Sequence, residues 1–249
     1  MVRTISYLSA TLLCLLSCTA TKVAPVQPNK EIQQTPLPSH TYVEDMHFDP
    51  YPFVGSVNYL DGTLIGSGIL IAPNLILTAA HVSEGRKDLM FVEHDGDEHC
   101  VEEVIYHPEH IEGLLKHDIS ILVLETDSDE IPVQLINPQE DAIWKTMKLV
   151  TIGYGKGKKR YSNFGVFWYY GRLVRKPQFM IMLPINGTIW FGDSGGAVVT
   201  IGNKLVGVMS YFLTEDSGKI YENGCASIEY YRDWIEGIKN ERTLEGMVK

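Results

Sequence analysis

The sequence predicts an all-β protein of short antiparallel strands with one helix at its C-terminal end. Three features carry that reading. Short runs rich in β-branched and aromatic residues recur from Phe53 to Tyr211, separated by Gly, Pro, Asn and Asp. No strand–helix–strand alternation occurs, which speaks against a doubly wound parallel sheet and for an antiparallel sandwich or barrel. Apolar residues fall into helical register only near the end, at Tyr231, Trp234, Ile235 and Ile238, with Arg232, Asp233 and Glu236 between them.

Two segments precede this domain. Arg3 is followed by a mostly apolar stretch over residues 5–16. A bilayer crossing takes ~20 apolar residues, so the stretch is too short to span and has the pattern of an export signal. Residues 1–17 are therefore expected to be a signal peptide. Leu15-Leu16-Ser17-Cys18 resembles the lipobox of bacterial lipoproteins, in which Cys18 would take the lipid and become the first mature residue. Thr19 after Cys18, rather than Asp, then leans toward the outer membrane. Cys18-Thr19-Ala20 also suits ordinary signal cleavage after Ala20, which would leave a soluble secreted or periplasmic form. Residues 18–45, rich in Pro, Gln and Thr, have the composition of an extended linker.

The expected domain covers residues 46–240, followed by a tail at 241–249. Residues 53–60 lead into Asp61-Gly62, a strong hairpin signal, and 65–71 return. Pro73-Asn74 turns the chain into 75–78. Further strands are expected at 89–92, 101–106, 119–124, 148–152, 164–174, 179–183, 197–201 and 204–211, with Gly202-Asn203 turning the last pair. Gly153-Tyr154-Gly155-Lys156-Gly157 lacks the ending and following helix of a phosphate loop, so a surface turn is expected there. Lys158, Lys159 and Arg160 would continue it as a solvated loop.

Composition narrows the function. The chain of 249 residues carries 31 Asp and Glu against 21 Lys and Arg, a formal net charge of −10. A nucleic-acid partner needs a basic patch and is disfavoured. Four Cys, two of them within the first 18 residues, cannot make a disulfide-dense scaffold. His94-Asp95-Gly96-Asp97-Glu98-His99-Cys100 suggests metal ligands but lacks their spacing, and a solvated acidic turn is expected instead. No metal and no cofactor are expected.

Three motifs point to one chemistry. Gly192-Asp193-Ser194-Gly195-Gly196 sets a Ser among glycines, which permit unusual backbone angles and close approach. Leu77-Thr78-Ala79-Ala80-His81 places a His just after an apolar strand, and His117-Asp118 places an acid at the mouth of another. Each alone has a commoner structural reading: a turn, a packed imidazole, a strand-initiating Asp. Together they supply a nucleophile, a base and a group to orient it.

With these motifs, residues 52–238 resemble the chymotrypsin/trypsin-like serine protease family. The same resemblance takes in Gly66-Ser67-Gly68, Tyr106-His107-Pro108, Thr151-Ile152-Gly153-Tyr154-Gly155, Val206-Gly207-Val208-Met209-Ser210-Tyr211 and Tyr231-Arg232-Asp233-Trp234-Ile235. It implies two six-stranded antiparallel β-barrels with a cleft between them and a C-terminal helix. It implies that Ser194 attacks the scissile carbonyl, His81 takes and returns the proton, and Asp118 orients His81. The N–H groups of Gly192 and Ser194 would form the oxyanion hole, and Ser210 would support Asp118. The expected substrate is a protein or peptide, and the chain is expected to be monomeric.

The departures are informative. In relatives with this motif, the acid matching Asp193 pairs with an α-amino group freed by cleavage. Here the matching zone, residues 40–44, has no Ile-Val-Gly-Gly start and no basic residue just before it. An internal partner for Asp193 is expected, with activity that needs no processing; cleavage near residue 42 is the alternative. Thr188 falls at the expected base of the specificity pocket and carries no charge. The pocket walls are expected at residues 189–191 and at Ser210, Tyr211 and Phe212, and Phe212 stands where relatives often keep Gly. Small or medium uncharged residues are expected before the scissile bond. Cys100 and Cys225 are not expected to pair.

Overall fold

The computed structural model describes residues 41–42, 49–139, 145–146, 148–164, 167–170, 178–182, 189–214 and 220–248. After β1 (Thr41–Tyr42), the strands β2 (Val54–Tyr59), β3 (Leu64–Ala72), β4 (Leu75–Thr78), β5 (Leu89–Val92), β6 (Glu98–Tyr106) and β7 (Ser120–Leu124) appear in turn. The six strands β2 to β7 close into a barrel in the order β2-β3-β4-β7-β6-β5, with every pair antiparallel. Ile69, Leu77, Phe91 and Ile121 are among its fully buried side chains. The first hairpin turns where the sequence places it. Gly62 takes φ 84°, its N–H donates to Tyr59 O at 2.9 Å, and Asp61 Oδ1 accepts from Thr63 N at 2.8 Å.

The second sheet is built from β8 (Gln134–Leu135), β9 (Leu149–Gly153), β10 (Arg160–Phe164), β11 (Phe167–Tyr170), β12 (Phe179–Met182), β13 (Ala197–Thr200), β14 (Lys204–Thr214) and β15 (Ile220–Ser227). Its order is β1-β10-β9-β13-β14-β15-β12-β11, and β8 pairs with β14 in parallel. β10 on β9 and β11 on β12 follow one another in the chain, so the sheet returns upon itself as the second barrel. Asn203, at φ 56°, turns β13 into β14, and its N–H donates to Thr200 O at 3.0 Å.

One short helix, α1 (Ala80–Ser83), follows β4, and a long one, α2 (Ile228–Val248), ends the chain. Ile228, Tyr231 and Ile235 are buried, with Trp234 and Ile238 half-buried beside them. The spacing i, i+3, i+7 lays them along one face of α2. The helix runs on through residues 241–248, which the sequence reads as a tail.

Strands β1, β8 and β15 are not foreseen by the sequence, and β1 lies inside the residues read as a linker. β15 reads as polar because Glu222, Asn223 and Gly224 interrupt it, yet it sits between β14 and β12. β8 is only two residues long. The stretch read as one strand from residue 164 meets the end of β10 and the whole of β11, and residues 171–174 lie outside the described set. Cys100 is exposed and Cys225 buried, both as free thiols. Among the described residues, no helix is long and apolar enough to cross a membrane.

Candidate active site

β4 is an apolar strand buried on both faces, and it delivers the chain into the single turn of α1 that carries His81. Arg86 closes that turn by donating to Val82 O at 2.7 Å. Asp118 enters just ahead of β7 and is fully buried. It grips His81 at two points: its Oδ1 accepts the His81 backbone N–H at 2.8 Å, and its Oδ2 lies 2.8 Å from His81 Nδ1. Ser210, from β14 of the second barrel, donates its hydroxyl to the same Oδ2. Burial pushes the Asp118 carboxyl up, but His81 and Ser210 outweigh it and hold the group below its ordinary value. An ionised carboxylate only accepts, so the proton of the neutral imidazole stays on Nδ1 and Nε2 carries the lone pair. The His81 side chain is 34% exposed, which leaves that face open to a substrate.

The residue before Asp118 is also pinned. His117 takes φ 51°. Its Nδ1 lies 3.1 Å from the Tyr231 hydroxyl on α2, and its Nε2 lies 3.2 Å from Glu109.

Ser194 sits on the loop between β12 and β13, which the first barrel clamps. Ser67, on β3, donates its N–H to Ser194 O at 2.8 Å and its hydroxyl to Gly192 O at 2.7 Å. The same hydroxyl accepts from Tyr154 N at 2.8 Å. Gly195, at φ 83°, lies so close to Ser67 O and Thr78 Oγ1 that a Cβ would collide with both. This seats the serine loop against the end of β4, three residues before His81. Within the loop, the N–H groups of Asp193, Gly195 and Gly196 donate to Trp190 O, Met209 O and Asp193 O. Among the described residues, no acceptor is engaged by the N–H of Gly192 or of Ser194.

Asp193 is buried and meets an internal cation. Arg160, itself buried, pairs with its Oδ2, and the N–H groups of Trp190 and Gly155 donate to the carboxylate at 2.7 and 2.6 Å. The sequence expectation of a solvated loop from Lys158 to Arg160 is therefore corrected at Lys159 and Arg160, while Lys158 is exposed. Arg160 is an interior residue, and the Lys159 side chain, 12% exposed, pairs with Asp49 and donates to Tyr51 O at 2.7 Å. The surface turn expected at residues 153–157 holds at Lys156 and Gly157, which are exposed, whereas Gly153 and Gly155 are buried against Asp193. Ser67 and Arg160 had no signal of their own; each is defined by a partner distant in sequence.

The presumed specificity wall is aromatic. Phe212 stacks on Trp190 with centroids 6.4 Å apart and meets the edge of Phe191 at 5.6 Å. Lys156 Nζ lies 4.9 Å from the Trp190 ring centre. Asn223 pairs with Phe212 across the β14–β15 ladder, and its fully buried carboxamide makes no hydrogen bond among the described residues. Thr188 and Cys18 lie outside the described residues.

Among the described residues, two groups have the residue types of a metal site: His107, Glu109 and His117, and His94, Asp95 and Glu130. In the first, the two imidazole rings stack at 5° and 4.7 Å, which does not direct both in-plane lone pairs to one ion. In the second, His94 and Glu130 form an ion pair at 3.6 Å.

The family profile for Trypsin matches residues 43–235. Over 192 residues the chain is 27% identical to a trypsin of Saccharopolyspora erythraea, covering 68% of this chain and 84% of that protein. It is 23% identical over 181 residues to a DegP-like periplasmic serine endoprotease of Halomonas elongata, covering 72% of this chain but only 36% of the relative. Among solved structures, mouse neuropsin, a serine protease expressed in the limbic system of the brain, superposes with a TM-score of 0.64 at 20% identity, covering 76% of this chain and 95% of its own. With two barrels, a terminal helix and this match in hand, the chain belongs to the trypsin family of serine proteases.

Proposed function

We propose that the protein is an active serine endopeptidase working through Ser194, His81 and Asp118. The observation that carries this reading is the two-point grip of Asp118 on His81 beside a serine loop in which, among the described residues, Gly192 and Ser194 keep their N–H groups unengaged. Ser194 Oγ attacks the scissile carbonyl carbon while its proton passes to His81 Nε2. The resulting oxyanion is held by the Gly192 and Ser194 N–H groups; such donors are each worth ~10²–10³ in rate. His81 then gives the proton to the amine as the C–N bond breaks, leaving an acyl ester on Ser194. Water repeats the cycle and frees the acid.

Small or medium uncharged side chains are the preferred residues before the scissile bond. The Trp190–Phe212 stack narrows the approach, and Thr188, at the expected base, carries no charge. Export follows from residues 1–17, with a lipid on Cys18 holding the domain at a membrane surface. The second reading, a catalytically silent homologue that binds peptides, draws on the same aromatic stack across the pocket.

A fluorophosphonate probe tests the chemistry. It is expected to label the wild-type chain and not Ser194→Ala, and the wild type alone is expected to degrade casein. An unlabelled wild type leaves the silent homologue standing. In the same preparations, peptide-library cleavage after Lys or Arg would remove the specificity reading. Failure of Cys18 to incorporate labelled lipid would leave the soluble form.

A further inference from the structure

Asp193 lies between the two residues whose N–H groups face the oxyanion, so whatever holds its side chain also sets the peptide planes on either side of it. Its carboxylate is buried, and burial pushes it above its ordinary value against the pull of Arg160 and two N–H groups. A buried carboxylate of this kind demands a counter-charge. Arg160 supplies one from inside the same barrel, at the first residue of β10. The surrounding residues are shaped around the pair: a Cβ on Gly155 would land on Arg160 Nη2 and on the Asp193 carboxyl, and one on Gly153 would press on Asp193 Oδ1. β1 bears on the same point. Thr41 and Tyr42 pair with Tyr161 and Arg160, so the chain runs as a strand along β10 beside the Arg160 backbone.

We propose that Arg160 is a built-in positioning residue that holds Asp193, and through it the Gly192 and Ser194 N–H groups, so that the full-length chain is active without proteolytic activation. This rests on the peptidase reading above. The guanidinium does the work that a newly freed α-amino group would otherwise do, and it is present from the moment of folding.

The test uses the full-length chain. Arg160→Met is expected to lower kcat about 10²–10³-fold, the loss typical of a missing oxyanion donor. KM and the far-UV circular dichroism should change little, and phosphonylation of Ser194 should slow in parallel. Arg160→Lys, which keeps the charge on a shorter reach, should recover part of kcat. Independently of any variant, wild-type protein whose α-amine is blocked and whose N terminus is shown intact by sequencing should hydrolyse casein at full rate. Arg160→Met as fast as wild type overturns the proposal alone. So does wild-type activity that appears only with a new terminus at Tyr42 or Val43. A wild-type chain inert to both substrate and probe overturns the peptidase reading along with it.

Discussion

Ser67 shows how much one small side chain can carry. Its hydroxyl donates to Gly192 O and accepts from Tyr154 N, and its N–H holds Ser194 O, so one residue of the first barrel fixes three points of the second. Replacing it by Ala leaves a half-buried carbonyl and a half-buried N–H without their partner. Such orphaned groups cost about 1–3 kcal/mol. Ser67→Ala is therefore expected to lower Tm by several degrees and to depress kcat more than KM, because Gly192 loses its anchor. Thermal melts with steady-state kinetics on one peptide check this, and an unchanged kcat would show that Gly192 is held without Ser67. At this scale little was legible in advance. His81, Asp118 and Ser194 stand out because their neighbours form motifs, whereas Ser67 and Arg160 become significant only through atoms more than thirty positions away.

Among the elements, the junction of the first barrel with α2 combines packing with titration. His107 stacks on His117 and meets the edges of Tyr231 and Trp234, at 5.1 and 5.2 Å between ring centres. Burial lowers the His107 pKa, the neighbouring charges of His117 and His110 add to that, and Glu109 opposes them. A histidine whose folded pKa is depressed stabilises the fold fully above its unfolded value of about 6.5, and the benefit fades as pH falls from there toward the folded value. The Tm of the wild type should therefore drop between pH 7 and pH 5.5, and His107→Gln should flatten that slope. Equal slopes in the two proteins would rule out this residue as the source. The sequence announced this helix through its apolar spacing, but neither its length nor its stacking on two histidines could be read from it. β15 was missed for the converse reason: its polar residues are paired on both sides by strands β12 and β14, and tertiary pairing overrides a weak local preference.

For the whole molecule, the two barrels are joined by polar contacts as well as by apolar packing. Asp118 of one accepts from Ser210 of the other, and Lys159 reaches back to Asp49 and Tyr51 ahead of β2. Unfolding is expected to be one cooperative transition, with circular dichroism and tryptophan fluorescence changing together. Separate midpoints would show barrels that melt independently. Acid adds a sign. The Asp118 carboxyl is held below its ordinary value, so its stabilisation is complete above about pH 4, the unfolded range, and is lost as pH falls through the folded value. Asp118→Asn should weaken that acid dependence while removing most of the activity.

The sequence by itself determined the class of fold and singled out three candidate reacting side chains, because strand alternation, turn residues and short motifs are local properties written in neighbouring letters. Only the tertiary structure decided which cation meets Asp193, which hydroxyl clamps the serine loop and which aromatic rings crowd the pocket. Those are pairings across barrels or across strands, where burial creates a demand for a partner and the fold alone chooses which residue meets it.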